Sequence, residues 1–161
     1  MSGSLVLPPT VDRTVLYGAL EPQVRALIEE GPDMVAAMSN AAAALHEAFG
    51  WHWVGFYRVI GDALVLGPFQ GPVACTRIAS GKGVCGTAWA TGVIQVVPDV
   101  ERYPGHIACS ALSRSEIVVP LRDRTGRIAG VLDIDSVHLN DFDAADALAL
   151  ERLMTPMTQW F

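Results

Sequence analysis

Three thiols and three carboxylates are the residues of this chain best placed to do chemistry. Cys109 lies in the stretch "PGHIACSALSRSEIVVP", Pro104 to Pro120, ahead of Glu116, which opens the apolar run Ile117-Val118-Val119. Packing alone explains neither a small thiol in a polar loop nor a carboxylate at the entrance to an apolar strand. Cys85 sits in "GKGVCGT", glycine-punctuated and suited to close backbone approach, and Cys75 lies upstream in "VACTRI". A lone cysteine is more often a small buried hydrophobe, but the settings of Cys85 and Cys109 favour reactive thiols. Asp133 and Asp135 alternate with Leu132 and Ile134 in "GVLDIDS", so a strand here puts both carboxylates on one face. Glu116, on the other strand of the same expected hairpin, brings a third. Clustered carboxylates raise one another's pKa, so one stays protonated near neutrality. Such a site suits a cationic ligand together with a proton donor. Trp53 and Tyr57, with Trp51 close by, are suited to core packing or to walling a small pocket, where they would stack on an apolar or soft sulfur group. Cys75, Cys85, His106 and Cys109 have the composition of a Cys₃His zinc site, but no Cys-x-x-Cys pair is present and the spacings are uncharacteristic, so no metal is expected.

Composition narrows the classes. A chain of 161 residues is long enough for one domain with a real core. A net charge of −6 disfavours nucleic acid or an anionic membrane surface as partner. No stretch approaches the ~18 apolar residues that cross a bilayer. The opening "MSGSLVLPPT" lacks a basic region and a long apolar segment, so it is not expected to be a secretory signal. The expectation is therefore a cytoplasmic, reducing setting, where three cysteines are not a structural disulfide framework.

The elements that would position these groups follow from periodicity. Residues 1–13 read as a flexible arm and 14–161 as a single domain. Val15, Leu16, Leu20, Val24, Leu27 and Ile28 recur at helical spacing over Thr14–Glu29, stopped by Gly31-Pro32. Asp33 is an N-cap for the Ala-rich helix "MVAAMSNAAAALHEAF". "WHWVGFYRVI" and "ALVLG" form a hairpin across Gly61-Asp62, and "VACTRI" and "VIQVV" are further strands. A helix-like "GKGVCGTAWATG" lies between those two. After a long loop from Pro98 to Ser115, "EIVVPL" and "RIAGVLDID" form a second hairpin. An amphipathic segment closes the chain from Asp143 to Trp160, with Ala147, Leu148, Leu150, Leu153 and Met154 as its apolar positions. Short turns favour antiparallel neighbours, so the fold class is α/β (α+β), a central antiparallel sheet with helices against it.

The segments "GPVACTRIASGKGVCGTA", "DVERYPGHIACSALSRSEIVVPL" and "GVLDIDS" closely resemble the free methionine-(R)-sulfoxide reductases, a family built on the GAF domain. The resemblance implies a six-stranded antiparallel sheet between helices, often as a homodimer. It implies that Cys109 is the catalytic thiol, Cys75 the main resolving thiol and Cys85 a second one. It also implies that Glu116, Asp133 and Asp135 hold the substrate ammonium and assist at the sulfoxide, while Trp53 and Tyr57 wall the pocket. The implied activity is reduction of free methionine-(R)-sulfoxide with recycling by a thioredoxin-type reductant and no cofactor. The alternative is a ligand-sensing GAF module without catalysis. "NDFDAAD", Asn140 to Asp146, is faintly similar to a motif of cyclic-nucleotide-binding GAF domains, but a binder has no use for three thiols at these spacings.

Overall fold

The computed structural model describes residues 4–107 and 109–161. Two helices open the chain, α1 (Arg13–Glu29) and α2 (Met34–Phe49), each started by an aspartate whose side chain accepts backbone N–H groups: Asp12 from Thr14 and Val15, and Asp33 from Ala36. Strands β1 (Trp53–Ile60) and β2 (Ala63–Gln70) form the expected hairpin, paired from Ile60↔Ala63. Then follow β3 (Arg77–Ala79), α3 (Gly83–Thr91), β4 (Gln95–Val97), β5 (Ser115–Arg122), β6 (Ile128–Ser136) and α4 (Ala144–Met154). The sheet runs β3-β2-β1-β6-β5-β4 and every neighbouring pair is antiparallel.

The sheet separates two apolar clusters. Val54 and Phe56 of β1, Ile117 and Val119 of β5, and Leu132 and Ile134 of β6 face α1, α2 and α4. Trp53, Tyr57, Val118 and Val131 face the other way and pack with Val84, Cys85 and Ala88 of α3. Strand alternation thus sends each strand's residues to two different layers. Only the first layer is wholly apolar at its centre.

Several expectations need correction. "VACTRI" forms a strand only over Arg77–Ala79; Ala74 and Cys75 lie in the loop before it. The closing segment is α4 followed by a 3₁₀ stretch, Thr155–Trp160, and Leu148 is 69% exposed, on the outer face rather than the buried one. The loop after β4 contains a 3₁₀ turn at Val100–Arg102. Residues 4–12 are not loose. Leu5 and Leu7 pack on the helical core, Gln23 Nε2 donates to the Val6 carbonyl, and the Val6 N–H donates to Gln23 Oε1. Alternation in an extended segment turns both leucines inward, which the neighbouring Pro8-Pro9 pair concealed. Trp51 also lies on the helical side, stacked on Phe49 with ring centroids 4.2 Å apart, and is no neighbour of Trp53.

Gly55 holds the wall of the second layer. A Cβ there would stand 2.4 Å from both the Phe69 Cβ and the Trp53 ring, which lie across it. Gly55→Ala is therefore expected to destabilise by about 1–3 kcal/mol and to displace the Trp53 ring. Urea unfolding and indole fluorescence check this; a variant unchanged in both would show that the contact relaxes without cost.

Candidate active site

Loops, the start of α3 and the three strands β1, β5 and β6 converge on one pocket below the second layer. Its walls include Trp53 and Tyr57, its base Cys85, Glu116, Asp133 and Asp135, and its rim Lys82, His106, Ile107, Cys109, Ser110 and Ser113. The space between its atoms, open mouth and adjoining solvent included, is about 520 Å³. The carboxylates meet because Glu116 pairs with Asp135 across the β5–β6 ladder and Val118 pairs with Asp133. Every one of the site residues expected from sequence borders this pocket except Cys75.

Cys75 is beside it. Cys75 and Cys109 form a disulfide, with Cα atoms 5.6 Å apart, and both residues are half-buried. Each cysteine loop is anchored by β1 and the residue before it. The Tyr57 hydroxyl donates to the Cys75 carbonyl at 2.9 Å, and Trp53 Nε1 donates to the Pro72 carbonyl at 3.0 Å. On the other side, His52 Nε2 lies 3.0 Å from Ser110 Oγ, next to Cys109. The aromatics therefore do more than wall the pocket. Sequence reasoning did not find the roles of Pro72, Ser110 and His52 because they act through loop positions that only the fold brings together.

Cys85 differs from the other two thiols. It is free and buried in the first turn of α3. Gly86 lets this turn lie on β3, since a Cβ there would meet the Ala79 carbonyl at 2.5 Å. The Cys85 sulfur, one Glu116 oxygen and one Asp133 oxygen all lie within 4.8 Å of one another. Burial, and next the charges of Asp133 and Glu116, push the Cys85 thiol well up, so it stays protonated near neutrality.

The same causes act on the carboxyl groups. Burial raises Glu116 well above the ordinary range, with the Asp135 charge adding to it. Burial and the Glu116 charge raise Asp133; burial and the Asp133 charge raise Asp135, against a hydrogen bond from Ser113. Asp133 Oδ1 has no hydrogen-bond partner. His106 Nε2 stands 3.6 Å from Glu116 Oε2, but burial lowers the imidazole, so this is a neutral ring against a carboxyl group, not a full ion pair. Burial also raises Tyr57, which keeps its proton and its role as donor. The arrangement therefore stores exchangeable protons at the base of a pocket and presents a thiol pair at its rim.

The Cys₃His set weighed for zinc does not assemble. Among the described residues, the group with metal-ligand proximity is Cys85, Glu116 and Asp133. "NDFDAAD" does not reach the pocket either. Asp143 caps α4 and Asp146 accepts from Tyr17, both on the helical side of the sheet. Among the described residues, no helix is long and apolar enough to cross a membrane.

The GAF domain family model matches residues 32–160. The chain is 43% identical over 148 residues to the free methionine-R-sulfoxide reductase of Escherichia coli, covering 91% of this chain and 89% of that one. The chain belongs to the free methionine-R-sulfoxide reductases of the GAF-domain family. It is also 52% identical over 139 residues to "GAF domain-containing protein A" of Dictyostelium discoideum, covering 86% of this chain and 87% of that protein. The X-ray structure of the free methionine-R-sulfoxide reductase from Neisseria meningitidis in complex with its substrate matches with a TM-score of 0.94 at 53% identity, covering 98% of this chain and 95% of that one. The GAF fold and its six-stranded antiparallel sheet are thus those expected from the family resemblance.

The raised carboxyl groups of this GAF domain have a consequence for stability. The folded state holds protons that an unfolded chain releases near pH 4, at about 3.9 for Asp and 4.3 for Glu. Stability from these protons is complete below that range and is lost as pH rises through the folded-state values. Asp133→Asn removes one such group. The stability of this variant relative to wild type should rise as pH increases above about 4, read from urea midpoints across the range. A difference flat in pH would mean that Asp133 is not held protonated by the fold.

Proposed function

We propose that this chain reduces free methionine-(R)-sulfoxide to methionine, with Cys109 as attacking thiol and Cys75 as resolving thiol. The observation that carries this is the Cys75–Cys109 disulfide at the rim of a pocket floored by three clustered carboxyl groups. Sulfoxide sulfur becomes electrophilic when its oxygen is protonated, and the carboxyl cluster supplies that proton. The Cys109 thiolate then attacks; the oxygen passes to Cys109 as a sulfenic acid and methionine leaves. The Cys75 thiol condenses with the sulfenic acid, releasing water and forming the disulfide. A dithiol of thioredoxin type restores both thiols by exchange and is itself oxidised. Such recycling needs a reducing compartment, and we place the protein in the cytoplasm on that ground.

Charge assigns the remaining roles. Ionised members of Glu116, Asp133 and Asp135 pair with the α-ammonium of a free amino acid, and the protonated member faces the sulfoxide. Trp53 and Tyr57 pack the substrate's methyl and methylene groups. At its unperturbed pKa about 3% of a thiol is ionised at pH 7, and an acidic pocket lowers that fraction. The bound ammonium offsets the negative charge, so substrate helps to activate Cys109. Cys85, buried and held as a thiol, is a poor resolving group; we assign resolution to Cys75.

Cysteine variants, thiol titration and a substrate analogue test the assignments. Cys109→Ser should form no methionine even in a single turnover, whereas Cys75→Ser should still release about one methionine per chain, because sulfenic acid formation precedes resolution. Thiol titration of the reduced wild type before and after substrate should show the loss of two thiols; a ligand sensor would lose none. N-acetylation of the substrate removes the ammonium. Losing one partner of a desolvated charge pair costs roughly 2–5 kcal/mol, so kcat/KM should fall at least about tenfold at ~1.4 kcal/mol per decade. Equal turnover of the free and acetylated R forms would leave the carboxylates without the ammonium role.

A further inference from the structure

The reduction chemistry leaves one buried thiol without a task. Cys85 is 4% exposed, and its sulfur shares the base of the pocket with oxygens of Glu116 and Asp133, all three atoms within 4.8 Å of one another. Asp133 is only 7% exposed, lines the pocket, and keeps Oδ1 without a hydrogen-bond donor. A buried acceptor left unpaired is costly, and the residue that carries it lines the pocket. An ammonium group satisfies the carboxylates but gains little from the sulfur, which is a weak acceptor. A divalent cation of intermediate softness uses all three. Magnesium and calcium prefer oxygen alone, whereas zinc takes thiolate and carboxylate together. Tetrahedral zinc geometry, with Zn–S about 2.3 Å and Zn–O about 2.0–2.2 Å, needs these atoms drawn closer than that limit. Water entering through the mouth, or His106 beside Glu116, can complete the shell.

We propose that the base of the pocket is a binding site for a zinc-type divalent cation, held by Cys85 Sγ, Asp133 and Glu116, and that its occupancy excludes methionine sulfoxide. The exclusion rests on the proposed reading in which the same carboxylates hold the substrate ammonium; the metal site itself does not. Binding displaces the Cys85 thiol proton, so affinity rises with pH.

Cadmium added to the disulfide form isolates the site, because Cys75 and Cys109 sulfurs are bonded to each other and only Cys85 can give a sulfur-to-cadmium charge-transfer band. The folded wild type should bind one cadmium per chain, show the ultraviolet band, release at least one proton, and lose the band when zinc is added in excess. Cys85→Ser should abolish the band, and Asp133→Asn should weaken binding at least about tenfold. No band in wild type, or a band that survives in Cys85→Ser, overturns the site, and the wild-type measurement does so without relying on any variant. Free methionine sulfoxide should then displace the cadmium, and its N-acetylated form should not. Cadmium that binds but resists displacement by the free amino acid would overturn the exclusion and the ammonium role together, leaving the metal site standing.

Discussion

The register of the β5–β6 pair is the constraint on which the rest of this structure depends. Ile117 pairs with Ile134 and Val119 with Leu132 on the helical side, all essentially without exposure. A slip of one residue would turn these into the pocket and drive Glu116, Asp133 and Asp135 into an apolar layer. Period-two alternation allows no intermediate position. The burial of four apolar side chains therefore fixes where three carboxylates stand, and it does so from the opposite face of the sheet. The electrostatic strain of the pocket is tolerated because the helical core offsets it.

Around that pair the molecule divides its tasks. The helical face carries stability and a polar belt that closes the loop after β6. Ser136 donates to Asp141, Arg13 pairs with Asp141 and Asp146, and the Tyr17 hydroxyl donates to Asp146 at 2.8 Å. Arg13 lies at the start of α1, also over the rings of Trp51 and Phe142. The stretch Asn140 to Asp146, similar in sequence to a ligand-binding motif, is spent on this belt and on capping α4. The pocket face carries chemistry and is assembled from loops that rigid strands hold in place, the arrangement expected where reacting groups need both reach and precision.

The three thiols illustrate how environment separates chemically identical groups. Cys75 and Cys109 are half-buried on loops and close enough to bond. Cys85 is buried in a helix turn, pressed by two carboxyl groups that hold its proton. Thiolate character governs attack, resolution and metal binding alike, and burial beside carboxyl groups withholds it from Cys85.

Much of this was legible in the sequence because it depends on local rules. Alternation in "GVLDIDS" put Asp133 and Asp135 on one face, Gly61-Asp62 marked the β1–β2 turn, and Asp33 marked the start of α2; each needs only neighbours along the chain. The attacking and resolving roles given to Cys109 and Cys75 came from motif resemblance. The tertiary structure alone decided that β1, the first strand, pairs with β6, the last, which puts Gly55 opposite Asp133 and Trp53 opposite Asp135. It also decided that Trp51 belongs to the other core, that the segment from Ser4 docks, and that Cys85 meets Asp133 and Glu116 rather than the other thiols. The physical reason is common to all of these. Pairing of distant segments is set by which apolar faces must be covered, a property of the whole sheet and its helices that no window of the chain contains.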